Sequence, residues 1–485
     1  MTDRERKDFE QAAFEEWLNR TCPSGDVVSV QRQWEASSEC AALYAAANRP
    51  PGASTMTPET LTSHTGFTLN DEQQSALDSM LAWLADDFAV PYFVLQGYAG
   101  TGKTFTCKAL VEQVKGRVCF TAPTNKAVKV LRETLTTDTY RPQCATIYSL
   151  LGLRMEANGE VKELKGRDKD DEDKLDLSMF KFVVVDEGSM VNKILREHID
   201  EAQKDHGVKF LFMGDPAQLP PVGEVTAPIW KMDAERAVLT QVMRHDNQIL
   251  NLVTRIRKVV DDFSPRIDLK GDHDVNGGVW VLREDDFKRK IIERANVGAF
   301  ADGKSDKIIA WRNVKVNEYN ALVRAVMFDK TSDRWVPDDR VIFTAPAKDL
   351  DDKPMARTDD EGLVTHVRLE YHPVYSSFKC HRLAITLDDG RLVTGFALAP
   401  ESQRDFDQEC TELAARKQWR DFWALKEGFH GLRHAYAITA HRAQGSTYRT
   451  VFVDYKDILL NRTRQEAYRC LYVACSRPTT NLILG

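Results

Sequence analysis

The chain lacks any Cys-x-x-Cys pair, and its nine cysteines are scattered and odd in number. That pattern excludes a disulfide framework and a zinc ribbon, and it reads as the reduced thiols of a cytosolic protein. Long apolar runs are also missing. None approaches the ~20 residues that a spanning helix needs, so no membrane partner is expected. The charged start Met1-Thr-Asp-Arg-Glu-Arg-Lys7 has no apolar stretch behind it, so no secretory leader is expected either. Positive charge is short: 66 Lys/Arg against 73 Asp/Glu leave a net charge of −7. This excludes a uniformly basic nucleic-acid coat but leaves room for a locally basic channel. The remainder is ordinary for a globular protein. With 42% hydrophobic and 29% charged residues over 485 positions, there is enough chain for two or three domains.

Residues 1–66 stand apart. Phe9, Ala12, Ala13, Phe14, Trp17 and Leu18 recur at helical spacing, and a second helix is expected from about Val28 to Asn48. Pro50-Pro51-Gly52 stops it, and a Ser/Thr-rich linker follows. Six Lys/Arg against ten Asp/Glu make this segment a poor phosphate binder. It reads as a helical hairpin packed on the body or as a docking element for a protein partner.

The strongest signal is Val94-Leu-Gln-Gly-Tyr-Ala-Gly-Thr-Gly-Lys-Thr104. A buried strand runs into a glycine-rich loop that opens a helix, with the spacing of a phosphate-binding P-loop. Backbone N–H groups of Gly97, Ala99, Gly100, Thr101 and Gly102 would face a polyphosphate. Lys103 would reach the β/γ-phosphates of ATP, and the Thr104 hydroxyl would hold Mg²⁺. Upstream, Asn70 is placed to cap a helix with Gln73 at its third position; a Gln amide there can serve the cap or read the N6/N7 edge of adenine. Strands are expected at Tyr92–Gln96, Arg117–Ala122, Phe182–Asp186 and Phe210–Gly214, in the order of a parallel sheet with ligands at the strands' carboxyl ends. Val183-Val-Val-Asp-Glu187 reads as a Walker B strand, with Asp186 for Mg²⁺ and Glu187 to polarise the attacking water. Gly214-Asp-Pro-Ala-Gln218 ends another strand, and Gln218 is spaced to sense a γ-phosphate.

Taken together, these motifs resemble superfamily 1 DNA helicases, within them the Dda/RecD-like branch, over about 415 residues from Leu69 onward. The resemblance implies the fold: α/β, with two RecA-like P-loop domains, an inserted pin hairpin and an inserted SH3-like β-barrel, plus the short helical N-terminal extension. Thr121-Ala-Pro-Thr-Asn-Lys126 is similar to motif Ia, which implies DNA-backbone contacts from Thr124, Asn125 and Lys126. Thr146-Ile-Tyr-Ser149 looks like the family's Thr-Ile-His-Ser element, with Tyr148 in place of His. Asn158-Gly159 between alternating residues predicts a β-hairpin turned on that pair. The family's pin lies there, with Leu153 or Met155 as the wedge. Leu239-Thr-Gln-Val-Met-Arg244 resembles motif IV, and Cys470-Leu-Tyr-Val-Ala-Cys-Ser-Arg477 resembles motif VI. Arg244 and Arg477 are thereby implied as arginine fingers. Ala435 to Thr447 resembles motif V, with Thr439 and His441 toward DNA and Gln444 and Gly445 toward the nucleotide. Asn313 joins the DNA-facing set at the head of a helix.

The expected domains are 67–240 (first RecA-like domain, pin at about 150–178), 241–328 with 432–485 (second), and 329–431 (insertion). A helix is expected from Gln241 to about Asp261, Ile308–Asn313 is read as the second domain's first strand, and Gln403 to Glu427 as one helix whose Trp419, Phe422 and Trp423 pack. The function implied is an ATP- and Mg²⁺-dependent helicase that moves 5′ to 3′ on single-stranded or forked DNA. It would act as a monomer in bacterial or phage-infected cytoplasm. A single-stranded-DNA-dependent ATPase that strips proteins from DNA is the alternative. An assembly protein with a dead ATPase is disfavoured, because Lys103, Thr104, Asp186, Glu187, Gln218, Arg244 and Arg477 are all present.

Overall fold

The computed structural model describes residues 69–485, apart from 138–139, 159–160, 167–175, 243–247, 263–266, 329–332 and 350–352. At 154–158, 161–166 and 261–262 only the backbone is described. The N-terminal segment and Arg244 therefore lie outside the described residues. Leu69–Gly485 make one compact unit.

The first sheet is built from α1 (Asp71–Ala85), β1 (Tyr92–Gly97), α2 (Lys103–Gln113), β2 (Arg117–Ala122), α3 (Asn125–Leu135), β3 (Gln143–Thr146), α4 (Ile147–Leu150), β4 (Leu153–Asn158), β5 (Val161–Gly166), β6 (Phe180–Val185), α5 (Lys193–His206), β7 (Lys209–Gly214) and β8 (Glu235–Leu239). Its order is β3-β2-β6-β7-β1-β8, parallel throughout. Strands buried on both faces must be apolar along their length, and Phe180–Val185 and Lys209–Gly214 are nearly so. Helix α1 starts where Asn70 Oδ1 accepts the Gln73 N–H (2.8 Å) and Gln73 Oε1 accepts the Asn70 N–H (3.1 Å), a reciprocal capping box. It then buries Ala76, Leu77, Met80, Trp83 and Leu84, at roughly 1.5–3 kcal/mol for each large apolar side chain. The β4–β5 hairpin pairs Leu153 with Gly166 and Asn158 with Val161. Asn158 thus belongs to the ladder, not to the turn expected of it.

The second sheet takes α6 (Gln248–Asp262), β9 (Asp272–Asp274), β10 (Gly277–Val281), α7 (Glu284–Asn296), β11 (Asp306–Ala310) and α8 (Asn313–Met327) from before the insertion. Within the insertion run β12 (Arg340–Phe343), β13 (Ala347–Lys348), β14 (Pro354–Ala356), β15 (Glu361–Tyr371), β16 (Lys379–Leu387), β17 (Leu392–Leu398), α9 (Gln403–Ala415), α10 (Trp419–Glu427) and β18 (Leu432–His434). The second sheet then recovers β19 (Ala437–Thr439), β20 (Tyr448–Val453), α11 (Tyr455–Leu459), α12 (Arg464–Cys475) and β21 (Pro478–Leu484). Its order is β19-β11-β20-β21-β10-β9, with only the β9–β10 pair antiparallel. β10 enters before β11, so Ile308–Asn313 is not the domain's first strand. At Gly278 (φ +134°), paired with His273 in the ladder, an added Cβ would sit 2.5 Å from Asp272 O, so the close approach of β9 demands glycine there and hides the strand pattern. Gln241 and Val242 lie outside any helix, so the expected start at Gln241 is not met; helix α6 is described from Gln248.

The insertion carries a five-stranded antiparallel sheet, β17-β16-β15-β12-β18. Its two edges approach each other just before β18, where His430 N–H donates to Phe396 O at 2.6 Å. The expected single helix 403–427 is two: α9 ends at Ala415, and Lys417 adopts φ +57°, which a helix cannot continue through. Phe422 is buried among Phe378, Phe406 and Phe429, so this aromatic group packs, while Trp419 stays 44% exposed.

Candidate functional site: a nucleotide cleft between two sheets

β1, β7 and β6 are neighbours, so their carboxyl ends bring the P-loop, Asp215 and Asp186 side by side. The loop's shape needs its glycines. Gly100 and Gly102 hold φ of +85° and +80°, and a Cβ at Gly102 would meet Gln73 Nε2 at 2.5 Å. Gln73 Nε2 donates to Thr101 O at 3.0 Å. With Oε1 in the cap, Gln73 ties the helix start to the loop, and its second N–H and second oxygen lone pair remain for a base. Lys103 lies along the loop and donates to Gly97 O (2.8 Å) and Tyr98 O (2.9 Å). Burial pulls its ammonium below the ordinary value, and Asp215, Asp186 and Glu187 oppose that in decreasing order.

At the end of β6, Asp186 Oδ1 accepts the Glu187 N–H at 2.8 Å. Burial pushes the Asp186 carboxyl up, against that hydrogen bond and the Lys103 charge. Glu187 takes φ +50°, a left-handed conformation that costs a non-glycine residue on the order of 1 kcal/mol or more. Burial, and after it the neighbouring Asp186, push its carboxyl up to about 7, while Arg477 and Lys103 pull the other way. A carboxyl held near neutrality is suited to take a proton from water. Gln218 is 6% exposed and its Oε1 has no partner, so the acceptor is available within the cleft.

The second sheet supplies the opposite wall. Gly445 (φ +70°) comes so close that a Cβ there would lie 3.8 Å from Glu187 Oε1. Gln444 Nε2 reaches Leu219 O at 3.5 Å. Arg477 is 7% exposed and is held by Val473 O (2.9 Å), Ser446 O (3.3 Å) and Ser476 Oγ (2.9 Å), near enough for its charge to act on Glu187. Three residues that sequence reasoning missed complete the wall. Arg469 Nη1 donates to Gln218 O (2.9 Å), Arg257 Nη2 to Asp215 Oδ1 (3.1 Å), and Tyr472 OH to Asp215 Oδ2 (2.5 Å). Asp215 itself is fully buried.

The residues expected at DNA are spread over the carboxyl ends of β2, β3, β11 and β19. Thr124 caps α3 by accepting the Ala127 N–H (3.2 Å), and Thr146 caps α4 by accepting the Ser149 N–H (3.1 Å). Asn125 opens α3. Tyr148 packs half-buried against the core. Asn313 Oδ1 accepts from Arg433 (2.8 Å), Thr439 Oγ1 accepts the Arg442 N–H (3.4 Å), and His441 lies 3.9 Å from Glu466. Lys126 departs from expectation. Its Nζ is buried 3.6 Å from Glu361 Oε1, a carboxylate that Lys307 and Arg340 also contact. Burial opposes ionisation of Glu361, yet Lys307, Lys126 and Arg340 hold it down to about 2. Leu153 is buried at the root of the hairpin, and the Met155 side chain lies outside what is described.

Fold and site define a P-loop ATPase whose cleft is shared by two parallel-sheet domains. Residues 68–272 match the model of an AAA domain, and residues 434–484 match that of a UvrD-like helicase C-terminal domain. An uncharacterized protein of Acanthamoeba polyphaga mimivirus, R530, is 22% identical, with 85% of this chain and 99% of that protein covered. The ATP-dependent DNA helicase dda of Enterobacteria phage T4 is 23% identical over 80% of this chain and 92% of its own length. A solved structure of Pif1 helicases at forked double-stranded DNA shares the fold at TM-score 0.50 and 18% identity, covering 86% of this chain and 92% of that one. The chain thus carries an AAA-type ATPase domain and a UvrD-like helicase C-terminal domain, and reads as an ATP-hydrolysing DNA helicase similar to that of phage T4; the Pif1 structure shares its fold. No helix among the described residues is long and apolar enough to cross a membrane.

Proposed function

We propose that this chain hydrolyses ATP to move 5′ to 3′ along single-stranded DNA and to separate the duplex at a fork. The polarity rests on the similarity to the Dda helicase alone, and the observation that supports coupling hydrolysis to movement is the convergence on Glu187 and Asp215. Lys103, Asp186 and Gln218 come from one sheet, and Gly445, Arg469, Tyr472 and Arg477 from the other. A site split across two sheets is complete only when they approach, so chemistry and domain movement are tied together.

The donor set fits ATP with Mg²⁺. Asp186 is a half-buried carboxylate with Lys103 as its cationic influence, and Thr104 offers a hydroxyl in the first turn of α2. When bound, the metal would neutralise charge on the β- and γ-phosphates. Glu187 accepts the proton of the attacking water. Gln218 orients that water, and Arg477, with Arg244 as its proposed partner, stabilises charge on the transferred phosphoryl group. Lys103 exchanges its loop carbonyls for phosphate oxygens.

Strand separation is assigned to the β4–β5 hairpin with Met155 as its wedge; Leu153, expected as the other, is packed in the core and anchors the hairpin instead. The insertion's curled sheet, whose edges are joined by the His430–Phe396 bond, supports reading it as the SH3-like barrel behind that pin. Thr124, Asn125, Thr146, Tyr148, Asn313, Thr439 and His441 form the strand track across the carboxyl ends. Residues 1–66 are proposed to dock a replication or recombination protein. The test measures ATP hydrolysis and strand separation on one sample. DNA-stimulated hydrolysis with separation supports the helicase reading, and stimulated hydrolysis without separation replaces it with the protein-displacing ATPase.

A further inference from the structure

Among the contacts between the walls of the cleft, several gather on one carboxylate. Asp215 Oδ1 accepts Arg257 Nη2 (3.1 Å) and the Ala217 N–H (3.0 Å), and Oδ2 accepts the Tyr472 hydroxyl (2.5 Å). The same Tyr472 oxygen accepts the N–H of Ala99 in the P-loop at 3.3 Å. The Arg257 guanidinium also lies over the Tyr98 ring, 3.8 Å from its centre. Two side chains of the second sheet's helices, α6 and α12, thus hold two consecutive P-loop residues and the carboxylate beside them. Asp215 is in turn the strongest opposing charge that Lys103 feels. A buried carboxylate that loses its donors is left to the other cation it acts on, the P-loop lysine.

We propose that Arg257 and Tyr472 are positioning residues that make hydrolysis depend on DNA. When the second domain seats against the first, they hold Asp215 off Lys103 and fix Tyr98 and Ala99. In the DNA-bound, closed cleft Lys103 can then exchange Gly97 O and Tyr98 O for phosphate without being drawn to Asp215, and the loop is held in shape for it. Neither residue touches a reacting atom. A phenol shared between an amide and a carboxylate, and a guanidinium stacked on a ring, are both lost with small displacements, so the device switches sharply with closure. This inference rests on the proposal that single-stranded DNA drives closure.

The test uses the full chain with Tyr472→Phe, which removes one oxygen from a ring 1% exposed, and Arg257→Lys, which keeps charge but loses the planar stack. Steady-state hydrolysis is measured with and without oligo(dT), and oligo(dT) binding is followed by anisotropy. The ratio of stimulated to unstimulated rate falls about tenfold in each variant, the size expected for a lost hydrogen bond to a charged group. Oligo(dT) affinity shifts by less than about twofold while KM for ATP rises in the presence of oligo(dT), and the double variant falls well short of the product of the singles, because both act on Asp215. Equal losses in both rates, or an undiminished ratio, overturn the inference. Should Tyr472→Phe fail to fold, Arg257→Lys decides alone. A wild-type enzyme that hydrolyses ATP without any DNA stimulation refutes the functional reading itself, a different result from a variant that keeps its ratio.

Discussion

Replacing Glu187 by Gln tests the catalytic assignment most finely, because the amide keeps the size of the carboxylate and removes its basicity. Glu187 is held at about 7, against an ordinary value of 4.5. That difference corresponds to on the order of 3 kcal/mol against ionisation. The sign follows from a raised carboxyl. Its cost to folding is absent below the unfolded range near 4.5 and fully present above about 7. The Gln variant therefore melts higher than wild type at pH 8, and the gap narrows toward pH 5. The rate moves the opposite way. Losing a general base costs about 10²–10⁴-fold in the chemical step. In single-turnover hydrolysis the Gln variant is slow at every pH. A variant within about tenfold of wild type would refute the role given to Glu187.

Lys103→Ala is expected to abolish hydrolysis while oligo(dT) binding persists, read by phosphate release and anisotropy; retained hydrolysis overturns the P-loop assignment. Gly102→Ala places a methyl 2.5 Å from Gln73 Nε2 on a backbone at φ +80°. ATP affinity should fall at least about tenfold by titration with a fluorescent analogue. Binding to oligo(dT) should weaken linearly in log–log form with salt, at a slope of about −0.7 per phosphate contacted; a slope near zero would remove the electrostatic strand track.

Local chemistry made the first sheet legible. Asn70 and Gln73 form the reciprocal cap their spacing predicts, and strands buried on both faces advertise themselves as apolar runs. Pairings distant in sequence were not legible. Tyr472 meets Asp215 across 257 positions, and nothing in the run Leu471-Tyr472-Val473 signals that its hydroxyl is bonded. Arg257 sits on an amphipathic helix where an arginine reads as a solvated face until the fold supplies Asp215 and Tyr98. Lys126 shows the converse: a lysine at a helix start reads as a phosphate contact, but the insertion delivers Glu361 to it from far along the chain. β10 was masked by its leading glycines, and the break at Lys417 by good helix formers on either side.

The central claim, that closure of this cleft moves a strand in one direction, is tested most directly by single-turnover unwinding of partial duplexes with either a 5′ or a 3′ overhang. The account predicts ATP-dependent separation from the 5′ overhang, with little from the 3′ overhang. Separation from the 3′ overhang alone, or from neither while hydrolysis proceeds, would contradict it.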